Sequence, residues 1–327
     1  MNNTHPYDRL TPEIILDAVD RLPARCTGGL LALNSYENRV YRVDTEGRGM
    51  LAVKFYRPDR WNDAQIVEEH AFTRELAEQE IPVVAPLTGP DGSTIQRHGG
   101  FRYAVFPWQP GRASELGTTA ERHTLGRFLG RLHRVGASAR FHSRPALNIE
   151  TFGLEPVRYL LDHGFLPDYL MDAYRSLTSE LLGRISGILD GVSARTLRLH
   201  GDCHLGNLLW TDTAPHIVDF DDARTGPAIQ DLWMLLSGNR DAMQRQLGDV
   251  LEGYSVFMEF DPGELALIEP LRTLRLIHYS AWIARRWEDP AFPRSFPWFN
   301  TTRYWEEHVL ALREQRALVD EAPLSWI

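Results

Sequence analysis

The sequence is poor in cysteine, in long apolar runs and in positive charge. Its only cysteines, Cys26 and Cys203, are far apart in the chain. That excludes a disulfide framework and makes a reducing cytoplasm the expected location. No apolar run reaches the ~18 residues of a membrane-spanning helix, and residues 1–10 lack the basic start and apolar stretch of a signal peptide. Neither membrane insertion nor export is expected. A formal net charge of −9 argues against a dedicated nucleic-acid binder. Internal repeats, low-complexity tracts and a G-x-G-x-x-G loop are missing too.

What is present is ordinary globular composition, 43% hydrophobic and 24% charged over 327 residues. That length allows two lobes, each with its own core. Thr11-Pro12-Glu13 opens an amphipathic helix, with Ile14, Ile15, Ala18, Val19 and Leu22 as its stripe. Residues 30–43 and 50–56 read as β-rich runs parted by turn residues. A helix is expected over 64–79, then strands over 83–86, 93–96 and 101–106. Pro107, Pro110 and Gly111 punctuate the chain, and helical spacing dominates beyond them. Helices are expected near 125–132, over 170–189 and 232–257, and over 265–287 with a bend at Pro270. The strong β signals of this half are 196–200, 208–210 and 217–220. The pattern predicts an α+β, bilobal arrangement. Residues 1–107 would form a small antiparallel sheet lobe with one helix, and 108–327 a larger, mainly helical lobe.

The most informative stretch is His200-Gly201-Asp202-Cys203-His204-Leu205-Gly206-Asn207. A strand delivers His200, Gly201 permits a sharp turn, and Asp202 heads the loop. Asn207 follows five residues later, and a second apolar run ends in Asp219-Phe220-Asp221-Asp222. Phosphoryl transfer to a hydroxyl needs one carboxylate to orient the nucleophile and accept its proton, and oxygen ligands for Mg²⁺. Asp202 suits the first task; Asn207 and Asp219 suit the second. A lone loop aspartate is usually a turn former, but three groups in this order and spacing point to chemistry. Lys54, in the apolar strand Leu51-Ala52-Val53-Lys54-Phe55, supplies a cation for ATP phosphates. Glu68 or Glu69 on the following helix can pair with it; Glu69, sharing a face with Phe72 and Leu76, is preferred. With no glycine loop, phosphate contacts fall to the turn Asn34–Arg39: the Ser35 hydroxyl, backbone N–H groups or Arg39.

The His-Gly-Asp-x-His-x-Gly-Asn pattern resembles the aminoglycoside phosphotransferase and choline kinase branch of kinase-like folds. Taken with 32–41, 53–61, 218–236 and 289–298, the chain is more closely similar to the bacterial stress response kinase A family. That resemblance implies an ATP- and Mg²⁺-dependent Ser/Thr protein kinase that autophosphorylates and acts in stress survival. Its expected partners are Ser/Thr-bearing proteins, the chain itself among them; no nucleic acid or membrane is expected, and the chain is expected to be a monomer. The alternative is a small-molecule hydroxyl kinase of the aminoglycoside, choline or homoserine type. A metal-dependent hydrolase using His200, His204, Asp219 and Asp222, and a silent binding module, are weaker readings. Phe106-Pro107-Trp108 would hold adenine at the hinge. Asp231 would brace the catalytic loop, as the matching Asp does in related kinases. Part of the Trp282, Trp287, Trp298 and Trp305 cluster would line the acceptor pocket. Cys203, beside the base, is either a buried filler or a thiol whose oxidation impairs turnover.

Overall fold

A computed structural model describes residues 5, 7–22, 24–113, 115–212 and 214–326. The Thr11 hydroxyl accepts the Ile14 N–H and starts helix α1 (Pro12–Asp20) as its cap predicts. Strands β1 (Arg25–Ala32), β2 (Arg39–Glu46), β3 (Gly49–Phe55), β4 (Gln96–His98) and β5 (Phe101–Pro107) form one sheet in the order β1-β2-β3-β5-β4. Every neighbouring pair is antiparallel. α1 buries Ile15, Ala18 and Val19 against Val43, Val53, Phe55 and Tyr103 of the sheet. Between β3 and β4 runs α2 (Asp63–Glu78), opened by an Asn62/Gln65 capping box. Residues 83–86 form no strand; Val83 makes only an isolated bridge to Ile217.

The larger part holds α3 (Thr119–Gly136), α4 (Glu155–Asp162), α5 (Asp168–Gly191), α6 (Ile229–Trp233), α7 (Arg240–Tyr254), α8 (Ile268–Ala284), α9 (Ala291–Ser295) and α10 (Thr302–Val319). Two short antiparallel ladders are set among them. One pairs β6 (Thr196–Leu199) with β9 (Arg224–Pro227); the other pairs β7 (Leu208–Trp210) with β8 (Pro215–Ile217). The α+β, two-part expectation holds, with two helices rather than one beside the first sheet. The run 232–257 is two helices, because Ser237-Gly238, with Gly238 at φ +87°, breaks it. The bend at Pro270 is also absent: proline lies in the first turn of α8, where its missing N–H has no helical acceptor to lose.

Three cores result. Phe72 and Leu76 of α2 join the cluster built from α3, β6, α6 and α7. A second cluster packs α4, α5, α8, α9 and α10. The third is the α1–sheet core. α2 therefore packs on both parts, with Ile66 against Ala104 of the sheet and Phe72 and Leu76 against the helical part.

Candidate active site

The loop after β6 is shaped from beneath by Asp231 of α6. Its two carboxylate oxygens accept the backbone N–H groups of His200 and Gly201, each at 2.8 Å. His133 Nε2 adds a third contact at 3.1 Å. Asp231 is fully buried; burial alone would push its carboxyl up, but these donors hold it below the usual range. Gln230 donates to the Gly201 carbonyl at 3.2 Å. Gly201 has φ +85°, and a Cβ there would overlap the Asp222 carbonyl oxygen. His200 spends both ring nitrogens inside the loop, on Val218 O at 2.8 Å and on the Asp202 N–H at 3.2 Å. Neither is left for a metal. Among the described residues no three His, Cys, Asp or Glu side chains gather as a metal cluster. The hydrolase reading has no support in this geometry.

Asp202 leaves this braced turn toward the cleft. Its Oδ2 lies 3.5 Å from His204 Nε2, and its Oδ1 lies 2.6 Å from Arg275 Nη1 of α8. That second contact is off the line of a hydrogen bond, so the buried Oδ1 has no hydrogen-bond donor. Burial pushes the carboxyl up, while His204 and Arg275 outweigh it and hold it below its ordinary value. His204 Nδ1 accepts the Gly206 N–H at 3.0 Å, which leaves the ring proton on Nε2, facing Asp202.

The Asn207 amide nitrogen donates to the Asp202 carbonyl at 2.9 Å, turning Oδ1 away as an oxygen ligand. The Val218 N–H donates to the Asn207 carbonyl at 3.0 Å and brings in the next segment. Asp219 then adopts the left-handed region, φ 63°, which few non-glycine residues occupy. Its half-exposed carboxylate is 2.8 Å from Lys54 Nζ. Asn207 and Asp219 thus offer the hard oxygen donors that Mg²⁺ takes, so the residues present fit that ion.

Lys54 is buried in β3. Burial would lower its ammonium, but Asp219, Asp221 at 3.2 Å and Glu69 raise it well above the ordinary value. Glu69 is buried on α2 with Oε2 unpartnered; burial pushes its carboxyl up to about 7, opposed by Lys54. Glu68 faces elsewhere, accepting the N–H groups of His142, Ser143 and Arg144 at 2.5, 2.8 and 2.6 Å. Of the two, Glu69 shares the surroundings of Lys54. The Ser35 hydroxyl is occupied by its own turn, accepting the Val40 N–H at 3.0 Å and donating to Leu33 O at 3.4 Å. Arg39 is spent on Tyr36 O at 2.9 Å and on the face of Tyr7. Trp108, at the expected hinge, donates its N–H to Met50 O at 3.2 Å.

Several residues here lie outside the sequence reading. Arg60 bridges Glu37 at 3.0 Å, Asp222 at 2.9 Å and Asp221. Glu37 also accepts from Trp282 Nε1 at 2.8 Å and from Arg286 Nε at 2.7 Å. Asn38 donates to Asp221 at 3.0 Å. These partners are distant in the chain, and no local spacing announces them. Trp305 is core, Trp298 is 44% exposed, and Trp282 is committed to Glu37. Cys203 is fully buried, and burial pushes its thiol well up. It is a packed filler, not a thiolate poised for oxidation.

The sequence profile of the phosphotransferase enzyme family matches residues 30–268. Stress response kinase A of Escherichia coli is 43% identical over 324 residues, covering 99% of this chain and 98% of that protein. The serine/threonine protein kinase RdoA of Salmonella typhimurium is 44% identical over the same share. The chain belongs to the stress response kinase A family. As a member, it is a kinase within the wider phosphotransferase group. Among solved structures, an amicoumacin kinase in complex with AMP-PNP, Ca²⁺ and Ami superposes with TM-score 0.75 at 17% identity, over 96% of this chain and 94% of that one. A microcompartment-associated aminopropanol kinase gives 0.72 at 18% identity, over 96% and 100%. Those two show that the family shares its bilobal fold with small-molecule kinases. No described helix is long and apolar enough to cross a membrane.

Proposed function

We propose that the protein transfers the γ-phosphoryl group of Mg-ATP to Ser or Thr hydroxyls of proteins, itself included, in the cytoplasm during stress. The observation that carries this reading is the convergence of four segments. Lys54 from the sheet meets Asp219, while Asn207 ties Asp219's strand to the loop of Asp202. Close kinship to proteins named as a stress response kinase and a Ser/Thr kinase supports the protein acceptor.

In this mechanism Asp202 Oδ1, which has no hydrogen-bond donor, orients the acceptor O–H and takes its proton as the O–P bond forms. Its low pKa keeps it ionised and ready to accept. His204 and Asp231 hold its carboxylate and its backbone in place. Lys54 aligns the phosphates, and Glu69 shares its charge environment. Ser35 shapes the turn that overlies them. Asn207 and Asp219 would hold Mg²⁺, which when bound neutralises charge on the β- and γ-oxygens. No step needs loop phosphorylation, because 222–226 runs directly into β9 and α6.

The deciding measurement is transfer of labelled γ-phosphate from Mg-ATP by the wild type and Asp202→Ala. Acceptors are the protein itself, a generic basic protein, and a panel of amino alcohols and aminoglycosides. Label on protein Ser/Thr that disappears in Asp202→Ala is expected. Label confined to small molecules would overturn the protein acceptor and leave the phosphotransfer chemistry standing.

A further inference from the structure

Arg275 helps keep Asp202 ionised but has no acceptor or phosphate to hold in the chemistry just described, yet it lies closer to the proposed base than any group but the loop itself. Its Nη1 is 2.6 Å from Asp202 Oδ1, the oxygen that has to meet the acceptor hydroxyl. The arginine is 35% exposed and the aspartate 23%, so this pair stands at the mouth of the cleft and not in the core. The contacting Oδ1 is itself covered, and no donor reaches that oxygen in line, so the pair is not a well-formed hydrogen bond.

The surroundings extend from that point in one direction. Arg275, Tyr279 and Trp282 are spaced 4 and 3 residues apart on α8, which puts them on one helix face, and Arg286 lies just past the helix end. Tyr279, 37% exposed, stacks on Trp282 with ring centres 5.8 Å apart. Trp282 meets Phe296 edge-on at 5.9 Å, and Phe296 in turn touches Tyr36 at 4.9 Å. An aromatic wall therefore runs from the base to the turn over the nucleotide site. From Arg275 to Trp282 it spans roughly 10 Å, the length of about three extended residues. A wall of this kind suits a polypeptide better than a small cationic metabolite.

Charge decides the rest. The whole chain carries −9, which would draw cationic acceptors. The side chain nearest to Asp202 Oδ1 is an arginine. A cationic substrate would have to approach Asp202 against that guanidinium. An anionic one would take the guanidinium from Asp202, gain a bidentate partner, and leave Oδ1 free for its hydroxyl.

We infer that Arg275 selects acceptors by charge: the preferred substrate is a Ser/Thr segment with a carboxylate or phosphate within one or two residues of the hydroxyl, and that anion displaces Arg275 from Asp202. The inference deepens the protein-kinase reading and rests on it. Arg275 is a specificity-determining residue here, while Asp202 remains the group that touches the reacting atoms.

The test compares four otherwise identical peptides, with Asp, phosphoserine, Ala or Arg beside the acceptor serine. kcat/KM is measured for the wild type and for Arg275→Ala, Arg275→Lys and Arg275→Glu. The wild type should favour the Asp or phosphoserine peptide over the Arg peptide by at least roughly tenfold. Arg275→Lys should keep that order, Arg275→Ala should flatten it, and Arg275→Glu should invert it. A general loss of packing would lower all four peptides together and leave their ratios alone. The Asp and phosphoserine arms tell an acidic sequence from a previously phosphorylated one. Equal wild-type rates on acidic and basic peptides would overturn the inference. So would an acid-to-base ratio that is the same in Arg275→Glu as in the wild type. If peptides take no label and small hydroxyl compounds do, the protein-acceptor reading fails separately. Hydroxy acids are then compared with amino alcohols: an Arg275-dependent preference for hydroxy acids sustains the charge selection, and a preference for amino alcohols overturns it.

Discussion

Gly201 combines φ +85° with a position where a Cβ would overlap the Asp222 carbonyl oxygen. Gly201→Ala should therefore lose about 2 kcal/mol or more, read as a shift in the urea midpoint. Because Asp202 is the next residue, transfer should fall by more than tenfold even where the variant is folded. Glu264 presents a different residue-scale effect. It is buried and caps α6 by accepting the Ile229 N–H at 2.9 Å, and burial pushes its carboxyl up to about 7. The native state then binds a proton that the unfolded chain, at the ordinary 4.5, has released. Stability from this site is present below about 4.5 and is lost as pH rises to about 7, on the order of 3 kcal/mol in all. Glu264→Gln should flatten that slope in chemical denaturation between pH 4.5 and 7. At this scale Asp202, Asn207, Asp219 and Lys54 are singled out by their immediate neighbours in sequence, and the fold brings Lys54 to Asp219 and Asn207 to the Asp202 carbonyl. Arg275 is not singled out in this way: nothing in its own stretch of helix points to a contact 73 positions earlier in the chain.

Among the elements, α3 and α7 pack closely because glycines face carbonyls across the contact. A Cβ on Gly130 would run into the Tyr254 carbonyl oxygen, and one on Gly253 into that of His123. Helix propensity alone would favour Gly130→Ala by up to about 1 kcal/mol. Overpacking against rigid backbone costs about 1–3 kcal/mol, so the steric effect should win. Net loss of thermal stability in Gly130→Ala, with the acceptor preference unchanged, is the expected outcome of a melting experiment. Long periodic elements were well foreseen: α2 and α5 each lie within two residues of expectation. The misses have local causes. Gly238 splits what reads as one helix, Pro270 begins a helix where it was expected to bend one, and β8 stops at Ile217 because Asp219 needs left-handed backbone. α10 was not foreseen, although the Thr301 side chain caps it and Trp305, Val309 and Leu312 form its buried stripe.

Across the whole molecule, the turn 34–39 is fastened to the far end of the chain. Glu37 is held by Trp282 and Arg286, and Asp289 binds Arg57 at 2.7 Å. Glu37→Ala would release that turn, leaving Trp282 Nε1 without its acceptor and Arg286 with only the Trp282 carbonyl. Losing even one charge-assisted hydrogen bond, about 1.5 kcal/mol, corresponds to a roughly tenfold change. The KM for Mg-ATP should rise by about that factor, with a much smaller change in kcat, in steady-state assays at fixed acceptor. The same fastening has a consequence for synthesis on the ribosome. Glu37 emerges 245 residues ahead of Trp282 and 249 ahead of Arg286. At about 5–20 residues per second, these partners arrive some tens of seconds later, and until then Glu37 has only Arg60 of its own lobe to pair with. The sheet can form early, but the turn 34–39 gains its full set of contacts only when the last third of the chain has been made, so the first-made lobe is completed by late-made residues.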